Sequence, residues 1–417
     1  MLKILWLSNT SLTDSDVGRS GTWLHALFRG LVDSGTIELG NITIGTVSQT
    51  TRQDCGPVRQ WIVPPVPASN RNGLPSEKIV ADISKAVEEF SPDLVHVWGT
   101  ECFWGLLTAR KLIKQAALLE MQGLIFTIAP VFAGGLSAKE QLACIGLKEI
   151  IRPASIRQGR KRFEKWAVFE KEIISRHKYI GVQSTWVEAQ VRSINRECKT
   201  SHCDLILRTP FYSAKPWQFT GKHRIFCSVA YPAAFKGLHV ALRAMAILKN
   251  RFPNVNLRIA GELSGKGIRQ DGYVAWLKRE IRKLGIEPNV EWLGTLDAAK
   301  IIEELNSSAA VLIPSYVESY CMALAEAMML GVPSVTSSTG GATFLAKDEV
   351  SALFFPPGDA AMCAYQLERV FTDRELVERL STAARATAVT RNNQDKIISH
   401  YLQTYRQVIG ETKGRRV

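Results

Sequence analysis

No run of about 18 apolar residues occurs in this sequence, so no membrane-crossing helix is expected. The nearest candidate, Leu118 to Leu136, is broken by Glu120, Gln122 and Pro130. The apolar stretch near the start, Ile4 to Leu7, is too short for a signal-peptide core, and Ser8 and Asn9 follow at once. It reads as a buried first strand. The expected location is cytoplasmic, at most peripheral to the inner face of the cell membrane. No Cys-x-x-Cys pair is present. The eight cysteines are scattered, and the closest two, Cys198 and Cys203 with His202 between them, lack the further ligands that a metal would need. Reduced thiols and no metal site are expected. The Gly-x-Gly-x-x-Gly fingerprint is absent, which leaves a dinucleotide oxidoreductase unsupported. Short repeats and low-complexity tracts are also missing. Acidic residues are scarce: 39 Asp+Glu face 52 Lys+Arg, a formal charge of +13. Such a balance favours an anionic partner, whether nucleic acid, membrane or phosphorylated substrate, and does not choose among them.

What is present is a large, ordinary globular composition. The chain has 417 residues, 46% of them hydrophobic and 22% charged, enough for two or three domains without disulfide staples. Short β-rich runs alternate with helical patterns, the mark of a parallel-sheet α/β protein. Leu2–Leu7, Leu39–Val47, Leu94–Trp98, Ala116–Met121 and Tyr179–Val182 read as strands. Gly21–Val32 reads as a helix, and so does Ser76–Phe90, with Ile79, Ile83, Ala86, Val87 and Phe90 on one face. After a Pro- and Gly-bearing linker at Thr209–Lys222 the pattern restarts. Strands are expected near Arg224, Asn256, Val290, Ala310 and Pro333, with helices between them. Asn392–Val408 carries a final helical pattern. Two doubly wound domains bind ligands at the carboxyl ends of their strands.

The most informative segment is Pro314-Ser-Tyr-Val-Glu318-Ser-Tyr-Cys-Met-Ala-Leu-Ala-Glu326-Ala-Met-Met-Leu-Gly331-Val-Pro333. A buried strand runs into a loop and then a helix. The helix start, near Ser319 to Met322, offers unpaired N–H groups and a positive dipole end to a phosphate. A carboxylate beside it accepts hydrogen bonds from sugar hydroxyls. Together they suit a nucleotide sugar, although two glutamates seven residues apart would alone favour an ordinary helix facing solvent.

The whole string, with Gly340-Gly341 and Ala352-Leu-Phe-Phe-Pro-Pro-Gly358-Asp359, resembles the retaining glycosyltransferases of GT-B fold, family 4 (group 1), which include enzymes of bacterial cell-surface polysaccharide synthesis. The resemblance implies two Rossmann-like doubly wound parallel-sheet domains facing a cleft, with a C-terminal helix crossing back to the first. The expected boundaries are 1–212 for an acceptor-side domain, 213–390 for a donor domain and 391–417 for the returning helix. Residue by residue it implies that Glu326 binds the ribose hydroxyls and that Glu318 holds the transferred sugar near the reacting carbon. Ser319, Tyr320, Cys321 and Met322 would contact the donor through their backbone. Lys236, in Phe226-Cys-Ser-Val-Ala-Tyr231-Pro-Ala-Ala-Phe-Lys236-Gly237, would neutralise the departing diphosphate. A fixed cation there lowers the barrier because leaving-group charge builds in the transition state. Front-face attack is implied, with neither metal nor resident cofactor.

The sequence departs from that pattern twice. Tyr231 stands where the family has an arginine, and Phe344 where a glutamate is common. In the first half, Gly18-Arg-Ser-Gly21 would let backbone approach the donor phosphates, or would be a plain turn. Pro92-Asp-Leu-Val-His96-Val-Trp98-Gly-Thr-Glu101 ends a strand at the same rim. His96 is read as a core histidine, and Trp98 and Glu101 as acceptor-side candidates. Between Lys139 and Lys215, sixteen Lys+Arg meet eight Asp+Glu. The densest part holds Phe163, Trp166, Phe169 and Ile173 at helical spacing. That stripe faces either the core or an anionic membrane, which would be met through residues 148–178. The expected partners are a nucleotide sugar and a glycan or lipid-linked acceptor, with no nucleic acid. Two rival readings stay open: a GT-B nucleotide-sugar epimerase, and a catalytically silent binding subunit of a polysaccharide assembly complex.

Overall fold

The computed structural model describes residues 1–13, 23–66, 71–152, 154–261 and 270–414. The chain divides into two compact units. One is formed by Met1–Phe126, Lys165–Arg208 and Asn392–Val417, the other by Thr127–Glu164 and Thr209–Arg391.

The first unit is built on β1 (Leu2–Ser8), β2 (Ile37–Ile44), β3 (Thr51–Arg52), β4 (Arg59–Val63), β5 (Leu94–Trp98), β6 (Ala117–Glu120), β7 (Tyr179–Val182) and β8 (Lys199–His202). They lie in the order β3-β4-β2-β1-β5-β6-β7-β8. Every neighbouring pair is parallel except β3 and β4. Apolar side chains on both faces explain the unbroken run Ile4–Leu7, all of it out of water. The helix Glu77–Phe90 starts where the Ser76 hydroxyl accepts from the N–H of Ile79 and stops at Ser91 in the left-handed region. Its buried Ile83, Ala86, Val87 and Phe90 follow the spacing read in the sequence. Burying one side chain such as Phe90 is worth about 2–3 kcal/mol. The last helix, Gln394–Lys413, closes this unit with buried Ile397, Tyr401, Tyr405 and Val408.

The second unit contains β9 (Arg224–Ser228), β10 (Asn256–Ala260), β11 (Val290–Gly294), β12 (Ala310–Ile313), β13 (Ser334–Ser337) and β14 (Leu353–Phe355). Their order is β11-β10-β9-β12-β13-β14, all parallel. The order reverses between β9 and β12, and in open parallel sheets such a switch point is where ligands sit.

The structure differs from the sequence reading in two instructive places. The polar strand β8, Lys-Thr-Ser-His, carries no apolar signal and is set by its pairing with β7. The segment Thr127–Glu164, assigned by sequence to the first domain, groups with the second unit. His239 shows how it is held. Its Nε2–H donates to the Gly134 carbonyl at 2.8 Å, and its Nδ1 accepts from the Tyr273 hydroxyl at 2.9 Å. A carbonyl only accepts, so this pair of bonds fixes the tautomer. Burial holds the imidazole down to about 4, so it stays neutral.

Candidate functional site

Lys236 follows β9 and Glu318 follows β12, so the switch point brings them together. The Lys236 ammonium donates to Glu318 Oε1 at 2.7 Å. Two glycines make the approach feasible. At Gly237 (φ +71°) a Cβ would lie 1.9 Å from the Pro314 carbonyl oxygen, so only glycine lets this turn sit against the end of β12. At Gly341 a Cβ would lie 2.1 Å from the Ser319 carbonyl oxygen, and its N–H donates to the Glu318 carbonyl at 2.8 Å. The Tyr316 N–H donates to the Phe235 carbonyl at 2.8 Å, and the Ser337 hydroxyl to the Ser315 carbonyl. Three loops, those that follow β9, β12 and β13, are thus laced together around one charge pair.

That pair is only partly withdrawn from water, with side-chain exposures of 29% for Lys236 and 14% for Glu318. Burial pulls the lysine pKa down. The Glu318 charge and hydrogen bond outweigh this, and the ammonium ends above its ordinary range. It is a fixed cation at neutral pH. Next along the chain, Cys321 is held at φ +81°, an uncommon setting for a residue with a side chain. It caps the helix Met322–Leu330. Its thiol is pushed up by burial and by Glu318, so it does not serve as a nucleophile. Glu326, one turn into that helix, is buried.

The segment 127–164 supplies neighbours that the sequence did not single out. A Cβ on Gly134 would lie 2.1 Å from the Ala234 carbonyl oxygen, beside the Lys236 turn. The Tyr316 hydroxyl lies between Gly135 and Gly358, where a Cβ would come within 2.6 and 2.7 Å of it. Adjacent Gly134 and Gly135, both at positive φ, were the available signal. Tyr231 is half exposed, and the charge of Arg162 from this same segment acts on its hydroxyl.

In the first unit, Trp98 is an interior side chain. Its ring lies 5.0 Å from Trp6, 5.3 Å from Trp23 and 4.0 Å from His96. A side chain 1% exposed presents no face to a ligand in this arrangement. His96 is also interior, as read from the sequence. Glu101 is different. Its Oε1 accepts from the Gly123 N–H at 2.5 Å, and Oε2 has no hydrogen-bond partner among the described residues. Burial raises its pKa. A Cβ on Gly99 or Gly123 would run into this carboxylate, so the two glycines clear its seat. Gly18 and Gly21 lie outside the described residues. Among those described, no group of three His, Cys, Asp or Glu is placed to hold a metal.

Residues 213–387 match the model of a known family, "Glycosyl transferases group 1". This part of the chain is similar to group 1 glycosyltransferase domains. It contains Lys236, Glu318 and Glu326. A curated relative, the glycogen synthase of Mycobacterium tuberculosis, is 28% identical over 170 residues, 41% of this chain and 39% of that protein. The match thus spans about two fifths of that relative's length. Sucrose-phosphate synthase from Thermosynechococcus elongatus superposes with a TM-score of 0.75 at 18% identity, over 99% of this chain and all of that one. Anabaena HepE, in complex with UDP and glucose, gives a TM-score of 0.67 at 15% identity, over 98% of this chain and all of that one. These likenesses establish the fold as GT-B, with two parallel-sheet α/β domains and a C-terminal helix.

Proposed function

We propose that the chain is a retaining glycosyltransferase of the family 4 type, moving a hexose from a nucleotide-diphosphate donor to a hydroxyl of a glycan or lipid-linked acceptor. The observation that carries this reading is the Lys236–Glu318 pair at 2.7 Å, at the switch point of the part that is similar to group 1 glycosyltransferase domains. Lys236 exchanges its carboxylate partner for the donor diphosphate and neutralises the charge that grows as the sugar bond breaks. Glu318 accepts hydroxyls of the transferred sugar, and Glu326 those of the ribose. The backbone of Ser319, Tyr320, Cys321 and Met322, at the helix start, faces the phosphates. Attack comes from the front face, and the leaving phosphate oxygen takes the acceptor proton. The protein contributes mainly position and electrostatics. The donor is a substrate, and the scheme calls for no resident cofactor.

On the acceptor side, Glu101 is the stronger candidate, since its buried Oε2 has no hydrogen-bond partner among the described residues, and Trp98 backs the strand end behind it. A role in surface polysaccharide or glycoconjugate synthesis fits a lipid-borne acceptor and a peripheral place at an anionic membrane. The +8 carried between Lys139 and Lys215 supports this. One observation favours the rival reading of a silent binding subunit: the half-exposed Tyr231 in place of an arginine.

A thermal-shift panel of nucleotide sugars, followed by transfer assays with the best binder, tests the proposal. Glu326→Ala is expected to abolish the shift while leaving the free protein folded. Binding without turnover on any acceptor would support the silent subunit. Turnover of the donor with no acceptor would reveal an epimerase.

A further inference from the structure

Between Leu142 and Ile151 the second unit exposes five large aliphatic side chains: Leu142, Ile145, Leu147, Ile150 and Ile151. Ile150 and Ile151 are 71% and 72% exposed. Single exposed apolar residues are ordinary on a protein surface, but five within ten positions are not. Four of them lie on two short helices, Ala138–Ala143 and Leu147–Ile151, and Ile145 on the turn between; the inner side of this pair is already fastened. Cys144 is buried. The Glu149 carboxylate accepts from the N–H groups of Gly146 at 2.9 Å and Gly272 at 3.1 Å. Ser137 and Glu140 form a reciprocal cap on the first helix, and Arg243 holds Glu140 from outside it. The aliphatic chains therefore face water on a well-anchored hairpin.

The charge around them has one sign. Lys139, Arg152, Arg157 and Lys161 are exposed. The acidic residues from 139 to 164 are Glu140, Glu149 and Glu164. The first is paired with Arg243, the second is buried and the third is bound to Arg160. The aromatic stripe of the helix Ile156–Arg176 is not available to the same surface. Phe163 packs on Phe132 at 4.8 Å, and the Trp166 indole donates to the Thr100 carbonyl at 2.7 Å.

We propose that the Leu142–Ile151 hairpin docks on an anionic lipid bilayer. The aliphatic side chains enter the boundary between headgroups and acyl chains, and the surrounding cations stay at the lipid phosphates. Protein interfaces centre on aromatic anchors, and the stretch from Ser137 to Ile151 contains no aromatic residue. Aliphatic insertion with a cationic rim is the chemistry of a membrane face. No helix among the described residues is long and apolar enough to cross a membrane, so the contact is superficial. This surface gives the membrane contact of the proposed function a place on the molecule and rests on that part of the reading, while its test does not depend on sugar transfer.

The test is co-sedimentation of the full chain with phosphatidylcholine vesicles, with and without phosphatidylglycerol, at low and high salt. Binding to the phosphatidylglycerol vesicles is expected, weakened by salt. The double substitution Ile150→Glu/Ile151→Glu should lower it about tenfold or more. Lys139→Glu/Arg152→Glu should lower it and remove most of the salt dependence. Thermal melts and nucleotide-sugar shifts of both variants should match the parent, which shows that they are folded and keeps this test separate from that of transfer. Equal sedimentation of parent and variants, or equal binding to neutral vesicles, overturns the proposal. So does a dimer in sedimentation velocity that Ile150→Glu/Ile151→Glu abolishes without any lipid binding, since the patch would then meet a second copy.

Discussion

Each unit places a basic and an acidic side chain together among its strand ends, and the two pairs are opposites in charge state. In the first unit His96 Nε2 lies 3.4 Å from Glu120 Oε2, with both side chains closed off from water. The Trp6 indole donates to the Tyr405 hydroxyl, and that hydroxyl shares a hydrogen bond of 2.8 Å with His96 Nδ1. Gln183 donates to the other carboxyl oxygen at 2.6 Å, and Gly181 clears the space beside it. Burial drives the imidazole pKa well down and the carboxyl up to about 8. Near neutrality this pair is predominantly uncharged. In the second unit Lys236 and Glu318 keep some contact with water, and the lysine stays charged. The difference teaches that solvent access, more than residue type, separates a structural pair from one that can act on a ligand.

The largest expected effect breaks the second pair. Lys236→Ala should lower the rate of sugar transfer by roughly 10²–10³, the usual loss on removing a group aimed at developing charge. Initial rates and thermal melts together check that the loss is chemical. The first pair should respond to pH instead. The folded-state pKa of Glu120 lies above its ordinary value, so its stabilising contribution is complete below about pH 4.5 and is lost as pH rises towards about 8. Its contribution should fall by about 1.4 kcal/mol per pH unit within that window. Urea titrations of the parent and Glu120→Gln should show a flatter pH profile in the variant. An exposed pair marks the bottom of the scale. Arg160→Ala breaks a surface contact with Glu164 and should change stability by less than about 0.5 kcal/mol, measured by the same titrations.

Much of this was legible in the sequence, for reasons that differ from residue to residue. The strands Leu94–Trp98 and Tyr179–Val182 carry unbroken β-forming runs, and the structure places both where they were read. Lys236 and Glu318 were singled out by motif, and their meeting depends only on the strand order. Polar β8 gave no local signal, because its place comes from a neighbour. The affiliation of residues 127–164 was also illegible. It rests on long-range bonds, such as that from His239 to Gly134, which no window of sequence contains. The interior place of Trp98, an acceptor-side candidate by sequence, is hidden for a related reason. Its cover comes from Trp6, Trp23 and Tyr401, residues far away along the chain.

The three-part make-up of the first unit has a practical consequence for dissecting the molecule. Asp93 accepts hydrogen bonds from the backbone of Lys3 and the ammonium of Lys413, tying together two positions 410 residues apart in sequence. A fragment ending near residue 212 would therefore lack the helix that covers Trp6 and His96, leaving their aromatic surface to aggregate. Work on isolated halves calls for rejoining distant gene segments, or for a permuted gene that opens elsewhere, instead of a stop codon at an apparent linker.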